Sequence, residues 1–455
     1  MNDITAFFAF LKYCLGYKEN MSRVIAGMNW HELYSFASKQ ALLGLCFEGI
    51  ERLGEEYPEE LKRNPIGREL LMTWMGKAQQ IRRQNMKVNA VASKLFAMLR
   101  VDGMRCCILK GQGNALMYPN PYSRTPGDID VWIDASRERI MEYAQKKFEL
   151  EDDIRLQHLE TSLDGVPVEL HFFPCSMNNP IYHARLQKWF RRNADLQCSH
   201  IVGLPDGAGD IAIPTTAFNV IYQLCHLYHH FFDEGIGMRQ IIDYFLVVND
   251  FSKNVFLDND LSNHPVNFSN HPVPLSKEGS TFSPSPSSSG SGDVTAPSRC
   301  SEPLRSKDGG PSKVSPDCAG WDRLAIEGDN SATAVTSSAS SALVVVQREL
   351  KYLGLWKFSG AVMYVLHEAL GLPEERMIAP MDEKRGKLLL AEILNGGNFG
   401  RHFTKYGHFT QQGMAKKYFL KIWRNMHFVR YFPAEALSEP IFRTWHFFWR
   451  LKHRR

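Results

Sequence analysis

The chain has no Cys-x-x-Cys pair, and its nine cysteines are odd in number and scattered over 455 residues. The neighbours Cys106 and Cys107 cannot readily pair with each other. A disulfide framework and a cysteine zinc site are therefore not expected, and a reducing, cytoplasmic setting fits best. No apolar run approaches the roughly 18 residues that a membrane helix needs, so no transmembrane segment is expected. The opening Met1-Asn2-Asp3-Ile4-Thr5 lacks the basic start and apolar stretch of a secretory signal. Core-forming material is ample, with 44% hydrophobic and 12% aromatic residues. A wholly disordered chain is thus excluded, and the length allows about two to four domains.

The net charge of +4 is unevenly spread. Residues 401–455 carry twelve Lys/Arg against Glu435 and Glu439, a local +10 that leaves −6 for the rest. Such a basic end suits RNA or an anionic surface, and equally a solvated helical face.

Helical spacing dominates residues 1–85, as in Phe7, Phe10, Leu11 and Cys14, then Leu33, Phe36, Leu43 and Cys46, with Asn29 as a cap. A further helix is expected from Thr73 to Leu99. The period then changes. Arg105–Leu109 reads as a buried strand, and Asp128–Ile133 alternates with period two. A helix is predicted over Ser136–Phe148. Two strands, Asp153–Leu163 and Val166–Phe173, flank Asp164-Gly165, a pair suited to a tight hairpin turn. From about 183 helices return, with apolar periodicity at Thr215–Tyr228 and Met238–Asn249. Residues 251–341 then hold 21 Ser, 9 Pro and 7 Gly, and repeat Ser-Asn-His-Pro-Val at 262–266 and 269–273. Such a stretch cannot bury enough apolar area to offset its chain entropy. Helix resumes from Leu343 through Leu370, and two basic, aromatic helices follow, about Ala415–Phe432 and Pro440 to the end. The organisation expected is a helical region at 1–85, an α/β core at 86–182, a helical region in two parts at 183–250 and 342–455, and a disordered insertion at 251–341 between those parts.

The stretch richest in chemistry is Ile108-Leu-Lys-Gly-Gln-Gly-Asn114 with Arg124-Thr-Pro-Gly-Asp-Ile-Asp-Val-Trp-Ile133. Strand periodicity puts Asp128 and Asp130 on one face, about 6.6 Å of rise apart. Ile129, Val131 and Ile133 point the other way, into a core. Two neighbouring carboxylates repel, and a divalent cation between them removes the repulsion; Mg²⁺, with Mn²⁺ as a substitute, suits hard oxygen ligands. Lys110, Gly111, Gln112 and Gly113 lie between a strand and a helix expected at Ala115–Tyr118, where glycines let backbone N–H groups approach phosphate oxygens. The hairpin returns Glu169 and His171 on one face, able to meet Asp128 and Asp130. Three carboxylates, a phosphate-cradling loop and two metal ions are what in-line phosphoryl or nucleotidyl transfer requires.

Strand, Gly loop, helix, then Asp-x-Asp on a second strand and a lone acid on a third resembles the nucleotidyltransferase fold of the DNA polymerase β superfamily. More narrowly, Leu109-Lys-Gly111, Arg124-x-x-Gly-Asp-Ile-Asp130 and Val168-Glu-Leu-His171 resemble a family of bacterial uncharacterised nucleotidyltransferases. So do Gly235-Ile-Gly-Met-Arg239 with Asp243, and Gly396-Gly-Asn-Phe-Gly400. The resemblance implies an α+β protein: a small mixed β-sheet nucleotidyltransferase core flanked by N- and C-terminal helical regions. It implies an NTP substrate, catalytic metal on Asp128, Asp130 and Glu169, and the triphosphate on the loop of Gly111. The superfamily usually has a Gly followed by Gly or Ser; here Gln112 follows Gly111 and Asn114 follows Gly113.

Each residue also has a plainer reading. Asp128 and Asp130 could cap turns, and Glu169 could face solvent; the upstream Gly loop favours metal ligation for all three. Lys110 either neutralises phosphate or sits in solvent. Arg124 either binds the triphosphate or braces its loop through a carboxylate, and bidentate phosphate contact favours binding. For His171 a structural hydrogen bond outweighs proton transfer. His226, His229 and His230 have helical spacing that could bind zinc, but packing against the sheet with one His near substrate is preferred. Arg239 and Asp243 are expected to form an intrahelical pair. The end of the chain is expected to be a packed helix with a solvated basic tip. The leading expectation is a Mg²⁺-dependent transfer of NMP from an NTP to an unidentified hydroxyl acceptor by two-metal in-line attack. The alternatives are an inactive nucleotide-sensing or partner-binding module, suggested by the unusual loop, and a toxin-like, tRNA-directed enzyme, suggested by the basic end.

Overall fold

In the computed structural model of the chain, residues 3–150, 155–256, 332–402 and 414–453 are described. Five helices open the chain: α1 (Asp3–Cys14), α2 (Ser22–Ala26), α3 (Trp30–Lys39), α4 (Leu43–Glu56) and α5 (Pro58–Arg63). The Asn29 side chain accepts from the backbone N–H groups of His31 and Glu32, as an N-cap should. A 34-residue helix, α6 (Arg68–Val101), follows and spans about 51 Å at 1.5 Å per residue. It is longer at both ends than periodicity alone indicated.

Next come β1 (Cys106–Leu109), α7 (Gly111–Ala115), β2 (Ile129–Ile133), α8 (Arg137–Lys147), β3 (His158–Leu163) and β4 (Val166–His171). Ser136 caps α8 through its side chain. Asp164 and Gly165 both have positive φ, 50° and 70°, the geometry that lets a two-residue turn match strand twist. The sheet has the order β1-β2-β4-β3, with only β2 and β4 parallel. This is the expected small mixed sheet with helices before and after it.

Registers fix what each face carries. Ile129, Val131, Ile133, Val168 and Leu170 are buried against Val91, Leu95 and Phe96 of α6 and Ile140 of α8. On the opposite face two rows cross the sheet. One runs Cys107, Trp132, His171, His158; the other runs Leu109, Asp130, Glu169, Glu160. Each row starts apolar and ends polar. The apolar end is covered by α9 (Pro180–Ser199) and α10 (Thr216–Asp233). There the Phe218 ring stacks on Trp132 at 6.2 Å and on Trp189 at 4.6 Å. The polar end is left for the site.

Between α9 and α10 lies a hairpin that the sequence reading lacked, β5 (Ile201–Gly203) and β6 (Asp210–Ala212). Strands of three residues give no readable alternation. Helix α11 (Met238–Phe256) follows α10. The expected insertion begins later and ends sooner than composition suggested, because α11 runs to Phe256 and α12 (Ala332–Tyr352) starts at Ala332. The rest of that expectation, 257–331, lies outside the described residues. The helix expected over Leu343–Leu370 is two: α12 and α13 (Trp356–Leu370). They part at Gly354, whose φ is 74° and where a Cβ would meet the Tyr182 ring at 2.5 Å. The chain continues with α14 (Glu383–Gly396), α15 (Met414–Met426) and α16 (Pro433–His453). Phe428 and Phe432 pack on Phe231 and Phe232 of α10, so the C-terminal helices join the same core. Among the described residues no helix is long and apolar enough to cross a membrane, and the seven described cysteines are free.

Candidate functional site

The polar end of the sheet forms the floor of a cavity of about 580 Å³, bordered by Lys110, Asp128, Asp130, Glu169, His171 and Arg239 among others. That size falls in the range of small-molecule sites, about 300–1,000 Å³. Asp128 ends the loop before β2, and Asp130 is its second residue. Asp130 is the register partner of Glu169 on β4. His171 Nε2 lies 3.0 Å from Asp130 Oδ1 and 3.1 Å from Glu169 Oε2. Lys110 Nζ also donates to Asp130 Oδ1, at 3.0 Å, and lies 3.1 Å from His226 Nε2. Lys110 reaches that place from a backbone with φ 52°, an uncommon conformation for a side-chain-bearing residue, set where β1 turns into α7.

The electrostatics follow from this crowding. The charges of Asp130 above all, then burial, then the charge of Glu169, push the Asp128 carboxyl up to about 6. Asp128 is nonetheless open to water at the cavity, which screens the repulsion. Burial would raise Asp130, but Lys110 and His171 outweigh it and hold Asp130 well below the usual carboxylate range. For Glu169 burial is likewise outweighed, by the His171 hydrogen bond, and the net shift is downward. Burial opposes the charged form of His171, yet the two carboxylates raise it to about 9. His158, buried and facing a charged His171, is driven down to about 3. At neutral pH, Lys110 and His171 therefore supply the positive charge that Asp130 and Glu169 require.

The other expected nucleotide-binding residues divide. Gly111, with φ 36°, borders the cavity. Gln112 and Gly113 are turned inward: Gln112 is buried and donates to Asn89 of α6, and a Cβ at Gly113 would touch Ile213 at 3.0 Å. The cause is that α7 starts at Gly111 rather than at Ala115, which rotates both residues to the core side. Arg124 borders the cavity, and the carboxylate that its bracing reading calls for is present. Its Nε and Nη2 donate to Asp243 Oδ1 and Oδ2, each at 2.8 Å, and both side chains are buried. Tyr118 donates to the same Asp243 at 2.8 Å, and Asn85 of α6 holds the Tyr122 and Arg124 carbonyls. Asp243 is thus paired across the fold, and the intrahelical pair with Arg239 is replaced. Arg239 instead lies over the Phe399 ring and reaches the Thr125 carbonyl.

Among the three histidines of α10, His226 touches Lys110, and His229 lies 3.5 Å from Ser176 Oγ. Among the described residues, the donor atoms of His158, Glu169 and His171 all fall within 4.8 Å of one another. Of the expected metal ligands this group contains only Glu169; Asp128 and Asp130 lie beside it. His158 went unnoticed in the sequence, although the turn at Asp164-Gly165 sets it opposite His171. The basic C-terminal helices contribute as well. Lys421 and Arg443 each lie 2.9 Å from Asp233, which borders the cavity. Both are half-buried, and Glu435 and Glu439 of α16 are buried, whereas Ile441, Trp445, Phe447 and Phe448 of the same helix are exposed.

Searches of curated proteins and of solved structures each found no match. The family model described as "Uncharacterised nucleotidyltransferase" matches residues 26–262, slightly more than half of the chain and all of the sheet and the cavity floor. Through that match, which takes in Lys110, Asp128, Asp130 and Glu169 together, the chain belongs to the uncharacterised nucleotidyltransferase family.

Proposed function

We propose that the chain transfers an NMP group from an NTP to a hydroxyl acceptor at the polar end of the sheet. The observation that carries this reading is the placement of Asp128, Asp130 and Glu169 on one wall of a nucleotide-sized cavity, with Lys110 between them and α10. The residues fit a divalent cation. Asp128 is raised by its neighbours' charge, and Asp130 recruits both Lys110 and His171. Asp128, Asp130 and Glu169 would hold Mg²⁺, which when bound neutralises phosphate charge and lowers the pKa of the attacking hydroxyl.

Lys110, whose flexible ammonium lies beside Asp130 at the edge of the cavity, would meet a phosphate oxygen of the NTP. Gly111 offers its backbone N–H at the same edge of the cavity. Arg124, fixed by Asp243, holds the loop that carries Asp128. The acceptor oxygen forms its bond to the α-phosphorus, the bond to the β-phosphate bridge breaks, and pyrophosphate leaves. The hydroxyl proton passes to water in the cavity. No covalent enzyme nucleophile takes part, and positioning of the reactants supplies much of the rate.

Incubation with each α-labelled NTP, Mg²⁺ and a cell lysate tests the reading. Label should appear on one acceptor species and depend on one preferred base. No labelled species under any NTP, with pyrophosphate never released, would refute it. A second reading, nucleotide binding without turnover, draws support from Gln112 and Gly113 facing the core. It predicts tight NTP binding and no pyrophosphate.

A further inference from the structure

We infer that His158, Glu169 and His171 form a site for a first-row transition-metal dication, distinct in ligand chemistry from an all-carboxylate Mg²⁺ site. The sheet builds it. His158 and His171 are register partners, and Glu169 is two residues before His171 on the same face. Their donor atoms lie within 4.8 Å of one another. Glu169 Oε2 is 3.3 Å from His158 Nδ1 and 3.1 Å from His171 Nε2. Ligands about 2.1 Å from one ion are separated by roughly 3.0–3.4 Å, so these edges already match a coordination shell.

A second, independent observation points to a ligand. His158 is only 9% exposed, and neither of its ring nitrogens makes a hydrogen bond, Nδ1 and Nε2 only facing carboxylate oxygens of Glu169 at 3.3 Å and Glu160 at 3.6 Å. A buried imidazole with two unmet polar atoms is costly unless something else meets them. All three side chains border the cavity, so an ion has a path in. Two imidazoles and one carboxylate favour Zn²⁺ or Co²⁺, and accept Mn²⁺, more readily than Mg²⁺, which prefers oxygen alone. On binding, the His171 Nε2 proton shared with the carboxylates is released, as ligation requires.

The inference shares Glu169 with the proposed reaction and deepens it by naming a class of ion. Its test therefore reads binding, without turnover. The full chain, stripped with a chelator, is titrated with Co²⁺ and followed by visible absorption. One equivalent should bind with ligand-field bands that survive excess Mg²⁺, and His158→Ala should weaken binding by at least about 10-fold, whereas Asp128→Asn should not. Because His158→Ala could disturb the sheet, pulsed electron paramagnetic resonance of the Mn²⁺-loaded wild-type chain provides a reading without mutation and should show imidazole-nitrogen coupling. Unchanged affinity in a folded His158→Ala, displacement by equimolar Mg²⁺, or absence of nitrogen coupling would each overturn it. Label transfer with Mg²⁺ alone beside such a result would leave the proposed function standing. Metal binding with no label transfer would do the reverse.

Discussion

Asp130 and Glu169 are direct register partners on the parallel strands β2 and β4, and both carboxylates share the Nε2 of His171, at 3.0 and 3.1 Å. One nitrogen thus bridges the two acids that the proposed reaction uses, in the position where positive charge is most needed. Loss of either acid should stop transfer while the sheet stays intact.

Asp130→Asn and Glu169→Gln should each lower the rate by at least about 100-fold, since outer-shell partners of metal sites alone cost about 10–100-fold. Circular dichroism should be unchanged. Steady-state assay of both purified variants checks this, and more than a tenth of wild-type activity in either would contradict it.

The pair Arg124–Asp243 predicts a different phenotype. Both members are buried, and removing one leaves the other charge without compensation. Arg124→Ala should cost about 3–5 kcal/mol of stability, seen as a large drop in Tm, with activity lost through unfolding of the Asp128 loop. Asp243→Asn should fall in the same direction. A variant with wild-type Tm and selectively weakened NTP binding would favour a direct phosphate role for Arg124.

Asp128 should be a stability burden in the metal-free protein. Its folded carboxyl is raised to about 6, chiefly by Asp130, so the native state prefers the protonated form. Stability is therefore lost as pH rises from the unfolded value near 3.9 through about 6. Asp128→Asn should raise Tm above wild type at pH 7.5, and the difference should vanish below about pH 4, where both forms are neutral. The same variant should be inactive. A lower Tm at pH 7.5 would show that Asp128 makes a stabilising contact.

His171 titrates with the opposite sign. Its folded pKa is raised to about 9 because the Asp130 and Glu169 carboxylates outweigh burial. The stabilisation it gives is complete below about 6.5 and is lost as pH rises through about 9. At most about 3 kcal/mol is at stake. Metal-free wild type should lose Tm over that window, and His171→Gln should be nearly flat there. Parallel profiles would mean that His171 is neutral in the fold.

Much of this was legible in the sequence because it depends on local rules. Period two put Ile129, Val131 and Ile133 in the core and Asp130 on the other face. Asp164-Gly165 located the hairpin, and its turn fixed which residues of β3 and β4 meet. The same register holds His158 opposite His171, so that residue was within reach of the pattern. What stayed hidden depends on distance along the chain or on fine phase. Arg124 finds Asp243, 119 residues away. Gln112 and Gly113 turn inward because α7 starts four residues earlier than its apolar run suggests. The Lys421 and Arg443 charges look free in a basic tail until α10 brings Asp233 to them.

The most direct measurement compares α-labelled with γ-labelled NTP in the wild-type chain, Asp130→Asn and Glu169→Gln, each with Mg²⁺ and the acceptor-containing lysate. Label should reach the acceptor only from the α position and only in wild type, with pyrophosphate in equal amount. Transfer from the γ position, or α-label transfer that survives in both variants, would contradict nucleotidyl transfer at these carboxylates.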